Sequence, residues 1–194
     1  MLRDIIVSKV RIKLLEIFLS HPEEIYYVRQ LVRELKEEIN AVRRELSRME
    51  KAGMVQKENR ANRVYYWFNP EYLFYGDLLG MVNKTVGLGG AIIKNKNHLG
   101  KIRFALLSGR FARHLPIKEG KVDLLIIGEV NLPELSRIVR EEETPLGREI
   151  NYSVMTKAEF DFRKKRRDPF LLGILTGSRL MLIGDEEEFV GQDA

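Results

Sequence analysis

The chain has 194 residues, enough for one large domain or two small ones, and its 44% hydrophobic content can fill ordinary globular cores. Lys and Arg number 33 against 28 Asp and Glu, and the net charge of +5 favours a polyanionic partner. The absence of cysteine excludes disulfides, zinc–thiolate sites and cysteine nucleophiles. The three histidines are too scattered to form a metal-binding motif, so we expect neither a metal site nor a resident cofactor.

The N-terminal residues and the hydropathy bear on location. Residues 1–4 lack the basic segment of a signal peptide, and no apolar run approaches the roughly 18 residues of a membrane span. We therefore expect a cytoplasmic protein with no membrane partner. The charged content of 31%, with three glutamines, resembles the composition of thermophile proteins.

Charge is distributed unevenly along the chain. Residues 1–70 carry 14 basic and 10 acidic side chains, whereas residues 71–194 carry 19 and 18. Within the second part, residues 84–121 hold nine Lys or Arg and one Glu, while residues 185–193 hold five acids and no base. The basic excess is therefore mainly N-terminal, and the acidic end is predicted to be a solvated tail.

Apolar periodicity predicts three helices near the N-terminus. The first covers about residues 10–19 and the second residues 27–35. The third ends at Gly53, which we interpret as its C-cap. Its apolar positions are Ile39, Val42, Leu46 and Met49. This spacing leaves one face of the third helix free of core residues.

A hairpin is predicted directly after these helices. Residues 54–57 and 64–68 have strand character, and the polar residues 58–63 between them suit a connection. Three helices followed by a hairpin predict an N-terminal winged helix-turn-helix domain over residues 1–70.

The rest of the chain is predicted to be a connecting segment and a second domain. Residues 71–98 have a largely helical pattern, broken near residues 87–90, and such an apolar connector commonly packs against a partner subunit. Residues 99–194 alternate between strands and helices and end in the acidic tail, which predicts an α/β domain with a small mixed sheet. The predicted strands are 102–107, 122–127, 150–155 and 180–183, and the predicted helices are 133–142, 157–166 and 169–176. The fold class is therefore α+β.

The third helix presents polar and basic side chains opposite its apolar stripe. They are Asn40, Arg43, Arg44, Ser47, Arg48 and Lys51. Arg can bond guanine edges and Asn adenine edges in the major groove, while Ser and Lys can hold phosphates. The alternative is that these arginines only solvate the helix and pair with Glu45 or Glu50 at helical spacing.

The hairpin adds a second set of candidate contacts to nucleic acid. Arg60, Asn62 and Arg63 lie at its tip, from which they can reach a minor groove or the phosphate backbone. Residues 39–66 carry seven bases and three acids. The third helix and the hairpin together predict a site for double-stranded DNA.

The stretch from about Lys9 to Pro70 resembles the winged-helix transcriptional regulators of the ArsR and MarR type. The resemblance rests on the order of second helix, third helix and a hairpin that ends in a Tyr- and Phe-rich strand. It implies a regulator that binds operator DNA as a two-fold homodimer. The absence of cysteine departs from the metal-sensing ArsR members.

Residues 84–184 resemble the minimal, polymerase-beta-like nucleotidyltransferases. Those enzymes carry a Gly-Ser-Tyr/Phe-Ala-Arg-Gly motif after one strand, two acids on the next strand and a third acid on a later strand. The matching positions here are Gly109, Phe111, Ala112 and Arg113. Arg110 stands in place of the serine, and His114 in place of the second glycine.

The acidic residues of that motif are mostly missing. Lys121 replaces the first acid, Asp123 keeps the second, and the third would fall near Asn151, two residues from Glu149. One carboxylate cannot hold the two divalent cations that this chemistry uses, and a lysine in a ligand position repels them. We therefore expect a degenerate nucleotidyltransferase-like domain that is not an enzyme.

Two roles remain open for that domain. The basic residues near the degenerate site could bind a nucleotide or phosphate, and the domain could then sense an anion. Alternatively, the fold survives as a dimerisation module, with Asp123 paired to Lys121 or Arg110. The candidate anion site comprises Gly109, Arg110, Arg113, His114, Lys121 and Asp123.

The sequence thus predicts a homodimeric transcriptional regulator that binds double-stranded DNA. One alternative is a nucleotidyltransferase that transfers a nucleotidyl group to a protein or nucleic acid, and another is an antitoxin-like interaction protein. The basic run at residues 163–167 is either a solvated cluster or an additional phosphate contact.

Overall fold

The computed structural model describes residues 2–116 and 121–191. The chain is α+β, as predicted, and it divides into two compact units, Met1–Val82 and Asn83–Ala194. We refer to them as unit 1 and unit 2. No helix within the described ranges is long and apolar enough to cross a membrane.

A capping serine marks the start of the first long helix of unit 1. After the short α1 (Leu2–Ile5), α2 (Lys9–Ser20) begins after Ser8, whose hydroxyl accepts a hydrogen bond from the amide of Arg11 at 3.2 Å. A two-residue strand, β1 (Tyr26–Tyr27), precedes α3 (Val28–Leu35). This helix therefore starts one residue later than the predicted residue 27, because Tyr27 pairs with a neighbouring strand instead.

The third helix, α4 (Ile39–Lys51), ends in a Schellman motif. Gly53 has a φ of +75°, its amide bonds the carbonyl of Glu50, and the amide of Met54 bonds the carbonyl of Met49. Glycine adopts this left-handed conformation without strain, so the helix stops at the predicted place.

The hairpin is tighter than its sequence suggests. Its strands are β2 (Val55–Arg60) and β3 (Arg63–Phe68), joined by only Ala61 and Asn62, so the expected six-residue connection is wrong. Polar residues extend the pairing because β2 is exposed along most of its length and needs no apolar alternation. The antiparallel sheet has the order β1-β3-β2.

The core of unit 1 uses the apolar residues that the periodicity identified. Phe18 packs edge-on against Tyr26 with ring centroids 5.6 Å apart, and both side chains are fully buried. The α4 contribution comes from Val42, Leu46 and Met49. Its opposite face is left for solvent.

The segment after the hairpin contains α5 (Tyr75–Asn83) and α6 (Gly87–Lys94). The predicted break near residues 87–90 is present, but it lies at residues 84–86, and residues 87–90 form the first turn of α6. The glycines permit a close approach: a Cβ on Gly89 would lie 2.2 Å from the carbonyl oxygen of Asn83. The chain therefore bends before Gly87, and glycine at position 89 lets the new helix pack there.

Unit 2 is built on a four-stranded mixed sheet with helices on both faces. The strands are β4 (Gly100–Ser108), β5 (Leu124–Val130), β6 (Tyr152–Met155) and β7 (Arg179–Ile183). Their order is β6-β5-β4-β7, with β5 parallel to β6 and the other pairs antiparallel. Besides α6, its helices are α7 (Gly109–Ala112), α8 (Leu132–Leu146), α9 (Lys157–Lys165), α10 (Pro169–Thr176) and α11 (Glu186–Val190).

Strand alternation divides the apolar side chains between the two faces of this sheet. Ala105 and Leu107 of β4 belong to the cluster that contains residues of α6 and α8. Phe104 and Leu106 belong to the cluster that contains residues of α9, α10 and α11. Burial on both faces explains the continuous apolar run of β5.

The acidic C-terminal segment differs from the solvated tail that we predicted. Within residues 185–191, Glu186–Val190 form α11, whose first turn is acidic and begins after the capping Asp185. Phe189 is 0% exposed and stacks on Phe160 at 5.3 Å between centroids. The acids remain exposed, but one aromatic side chain anchors the segment to the core. Residues 192–194 of the expected tail lie outside the described residues.

Candidate functional site

The exposed face of α4 carries every residue that we predicted for it. All six are solvent exposed: Asn40, Arg43, Arg44, Ser47, Arg48 and Lys51. Within the described residues, no ion pair engages Arg43, Arg44 or Lys51. Their charges are therefore available to an anionic partner.

Arg48 differs from the other arginines because a buried carboxylate holds it. Glu45 is 5% exposed and bonds Arg48 at 2.7 Å and Arg11 of α2 at 2.9 Å. Burial acts to raise the pKa of Glu45, but the hydrogen bonds and charges of the two arginines outweigh it, so the pKa is lowered. Arg48 and Arg11 therefore help to fix α4 on α2, as one part of our alternative interpretation supposed.

The turn between α3 and α4 is fixed from α2. It comprises residues 36–38, and Lys36 adopts a left-handed φ of 52°. The ammonium of Lys13 donates to the carbonyl oxygen of Leu35 at 2.8 Å and to the carboxylate of Glu37 at 2.5 Å. Glu38 then caps α4 by accepting from the amides of Asn40 and Ala41. These bonds set the direction in which α4 leaves the turn.

The hairpin is tied to the same helix. Lys57 of β2 pairs with Glu50 of α4 at 2.9 Å. Burial raises the pKa of Tyr66, while the nearby charges of Lys57 and Arg43 act against that rise. The exposed face of α4 and the hairpin thus form one continuous surface, which we call the basic surface.

Aromatic rings hold the basic side chains of the hairpin. The guanidinium of Arg63 lies 4.7 Å from the centroid of Tyr27, and that of Arg60 lies 5.4 Å from the centroid of Tyr65. Arg60 also pairs with Glu58 at 2.6 Å, whereas Asn62 is exposed in the turn. The two arginines are therefore partly preorganised at the tip.

Unit 2 contains a cavity of about 490 Å³ beside its sheet. Residues of β4, α7 and α10 line it, together with the residues that precede β5 and β7. The cavity contains four of the residues predicted for the anion site: Gly109, Arg110, Lys121 and Asp123. Arg113 and His114 do not line it, because they end the single turn of α7 and His114 has a left-handed φ of 55°.

Asp123 is paired, but with a residue that we did not predict. Its carboxylate accepts from the guanidinium of Arg148 at 2.9 Å and from the amide of Asn151 at 3.2 Å. The expected pairing with Lys121 or Arg110 is therefore wrong. Arg148 follows the end of α8, and its guanidinium lies 5.0 Å from the ring centroid of Phe111 while it bonds the buried acid.

Gly109 is explained by packing inside the protein. Its amide donates to the carbonyl oxygen of Ser178 at 2.7 Å, and a Cβ would lie 2.1 Å from the hydroxyl of that residue. The amide is therefore used internally, unlike the free amides that cradle a phosphate. Arg110 donates to the carbonyl oxygen of Pro116 at 2.8 Å and remains exposed.

Sequence reasoning missed three residues of this region: Arg148, Gly173 and Arg179. Arg148 stands between a helix-ending glycine and a strand, but only the register of β5 against β6 brings it to Asp123. Arg179 donates to the carbonyl oxygens of Ile174, Leu175 and Gly177, so it holds the end of α10 in place.

Among the described residues, the acids of unit 2 form no cluster of the kind that holds a metal ion. Across residues 2–116 and 121–191, no three His, Asp or Glu side chains lie together in a group that could hold a metal ion.

Comparison of the chain with protein-family models, curated proteins and solved structures finds no match.

Proposed function

We propose that the protein is a transcriptional regulator that binds double-stranded DNA through the basic surface of unit 1. The observation that carries the proposal is the exposed face of α4, where Arg43, Arg44 and Lys51 lie without an ion pair among the described residues. A helix-turn-helix followed by a β-hairpin is the arrangement expected of a winged helix. This similarity of layout supports α4 as the recognition helix.

The side chains of the basic surface divide by their freedom to contact DNA. Arg43, Arg44 and Asn40 are the proposed base-reading residues, because their functional groups match guanine and adenine edges. Ser47 and Lys51 are proposed to hold phosphates. Arg48 is proposed either to contact the DNA phosphate backbone or only to stabilise the fold, because its guanidinium is already bonded to Glu45.

The hairpin is proposed to contact DNA beside the recognition helix. Arg60 and Arg63 sit at its tip, and Asn62 lies between them in the turn. The stacking of both arginines on tyrosine reduces the conformational entropy that each would lose on binding a phosphate. These contacts would add affinity without reading much sequence.

We further propose that the protein binds its operator as a homodimer. The segment after the hairpin exposes two large apolar side chains, Leu73 at 81% and Phe74 at 52%. They lie in the connector that we predicted to pack against a second copy. A two-fold pair of recognition helices would read two half-sites about one helical turn apart.

Unit 2 is proposed to act without nucleotidyl transfer. Asp123 is its acid at the degenerate motif, and Arg148 is hydrogen-bonded to it at 2.9 Å. A divalent cation would have to displace that guanidinium and approach Lys121 as well. This arrangement favours a binding or assembly role over a two-metal enzyme.

Fluorescence anisotropy can test the DNA-binding proposal with duplexes that tile the region upstream of the protein's own gene. Tight binding to one tile is expected, with an affinity that falls steeply as salt rises. The double variant Arg43→Ala/Arg44→Ala should lose most of the preference for that tile. Lys51→Ala removes one proposed phosphate contact. It should therefore make the fall of log affinity with log salt concentration shallower by about 1.

A matched control separates this effect from net charge. Lys96→Ala/Arg140→Ala removes the same charge from exposed positions of unit 2 and should leave the preferred tile unchanged. Equal, weak binding to every tile, unaffected by Arg43→Ala/Arg44→Ala, would contradict the proposal. A stable complex with another protein in place of DNA would favour the antitoxin-like alternative.

A further inference from the structure

The cavity of unit 2 combines an apolar lining with a few charged groups. Its volume of about 490 Å³ is typical of small-molecule sites. The apolar lining consists of Leu106, Leu115, Pro116, Val122, Leu125, Pro169, Phe170 and Ile174. Such a lining suits a ligand with a hydrocarbon or aromatic body.

Two exposed cations contribute to the same cavity. Arg110 and Lys121 line it, and no ion pair joins either of them to a carboxylate among the described residues. The charge of Asp123 is already met by Arg148, and the guanidinium of Arg179 is bonded to helix carbonyls and Glu186. Among the described residues, the cations that line the cavity outside an ion pair are therefore Lys121 and Arg110, and one N–H group of Arg110 is bonded to the carbonyl oxygen of Pro116.

Gly173 supplies an independent observation. It lies inside α10, where glycine costs about 0.5–1 kcal/mol of stability relative to alanine. Neither the backbone nor the packing requires it: its φ is not left-handed, and the nearest atom to an added Cβ is Nζ of Lys121, 4.0 Å away. The missing side chain leaves open the space between α10 and that ammonium.

We propose that this cavity binds a small organic acid with an apolar body of about ten carbons and one carboxylate. The apolar body lies against the side chains of Phe170, Ile174 and Leu125. The carboxylate lies beside Lys121, in the space that Gly173 leaves, and within reach of Arg110. The proposal does not rest on DNA binding by unit 1.

The chemistry favours a carboxylate over a nucleotide phosphate. A planar guanidinium can bond either a carboxylate or a phosphate through two parallel N–H donors, so the rest of the site decides between them. Phosphate sites usually add free backbone amides, but the amide of Gly109 already donates to Ser178. A triphosphate would also bring more negative charge than Arg110 and Lys121 can neutralise.

Isothermal titration calorimetry of the full chain with decanoate is the direct test. Decanoate is expected to bind one site per chain, and amide NMR shifts should change at α10 and near Lys121. Decanol keeps the apolar body without the charge, and its affinity should be lower than that of decanoate by about tenfold or more. Inorganic phosphate and ATP should not compete.

Two variants test the assigned groups. Arg110→Ala/Lys121→Ala should weaken decanoate binding about tenfold or more, while Lys96→Ala/Arg140→Ala has the same charge change and should have no effect. Gly173→Leu should fill the space beside Lys121 and abolish binding. This variant should still fold, because leucine is a better helix former than glycine.

The matched control for the helix substitution is Gly76→Leu, since a Cβ at Gly76 meets nothing within 4 Å and the residue lies in α5, outside the cavity. It should leave decanoate binding unchanged. Decanoate binding that survives Gly173→Leu would overturn the proposed position of the ligand. Competition by ATP, or failure of decanoate to bind, would overturn the proposed ligand class.

Discussion

At the scale of single residues, Glu45 connects the stability of unit 1 to its candidate DNA-binding face. It is a buried carboxylate between Arg11 and Arg48, and its pKa is lowered despite the opposing effect of burial. A lowered pKa in the folded state means that the ionised form is stabilised on folding. This contribution is present above the unfolded value near 4.5 and is lost as the pH falls through the folded value.

Glu45→Gln should therefore destabilise the protein at pH 7 by about 1–3 kcal/mol, because it removes charge-assisted bonds to two arginines. The difference between wild type and variant should shrink as the pH drops below about 4.5. Urea denaturation at a series of pH values measures it. Glu58→Gln, which removes an exposed hairpin carboxylate, should cost below about 1 kcal/mol, and a pH-independent gap for Glu45→Gln would refute the linkage.

Ala61 is the second residue with a clear energetic prediction. It occupies the hairpin turn with φ of +51°, a conformation that costs a residue with a Cβ about 1–2 kcal/mol. Ala61→Gly should raise the free energy of unfolding by about 0.5–1 kcal/mol, since glycine avoids that strain but loses more entropy on folding. Thermal denaturation checks the direction.

Ala52→Gly is the control for this substitution, because Ala52 follows α4 with a right-handed φ of −82°. Glycine relieves no strain there and should lower stability by up to about 1 kcal/mol. If both glycine substitutions lowered stability equally, the strain assigned to the turn would be incorrect.

At the scale of elements, the start of α6 depends on a close approach of backbone. A Cβ on Gly89 would lie 2.2 Å from the carbonyl oxygen of Asn83 and 3.1 Å from the side chain of Leu182. Gly89→Ala should therefore destabilise unit 2 by about 1–3 kcal/mol. Gly76→Ala is the paired control, because open space surrounds that position and alanine improves the helix. Calorimetry should show opposite shifts for the two variants, and equal shifts would argue against the proposed clash.

The elements also show what sequence alone can predict. Apolar spacing placed Val42, Leu46 and Met49 in the core, and that assignment fixed the exposed side of α4. The glycine run at residues 87–90 located the helix break to within a few residues, because α5 ends at Asn83 and α6 begins at Gly87, but the pattern did not show that Gly89 permits close packing against Asn83. The two-residue hairpin turn was missed because the exposed polar residues of β2 show no alternation of apolar and polar side chains.

The candidate site of unit 2 was harder to predict for the same physical reason. Asp123 could be identified as a surviving acid from its motif, but its partner Arg148 lies 25 residues away and reaches it through the pairing of β6 with β5. Gly173 carries no motif at all. Its significance depends on the free space beside Lys121, which a linear pattern does not encode.

At the scale of the whole molecule, the two units present different chemistry. Unit 1 offers an exposed basic helix face and hairpin, which suit a polyanion, whereas unit 2 offers a partly open, largely apolar cavity lined by the exposed cations Arg110 and Lys121. The DNA-binding surface and the small-acid cavity that we propose would together be the components of a ligand-responsive regulator. Coupling between them would require the ligand to have different affinities for the DNA-bound and free states.

The last prediction concerns assembly. Leu73 and Phe74 are 81% and 52% exposed, and burying both in a two-fold interface would remove a large apolar area from water. Leu73→Ser/Phe74→Ser should therefore convert dimer to monomer in sedimentation equilibrium at micromolar concentration. Operator affinity should fall by about 100-fold or more, because two linked recognition helices bind with an effective concentration that a monomer lacks.

Leu132→Ser/Leu146→Ser removes exposed apolar side chains from α8 instead and should preserve the dimer. A wild-type chain that sediments as a monomer while binding its operator tightly would rule out this interface and require both half-sites to be read independently.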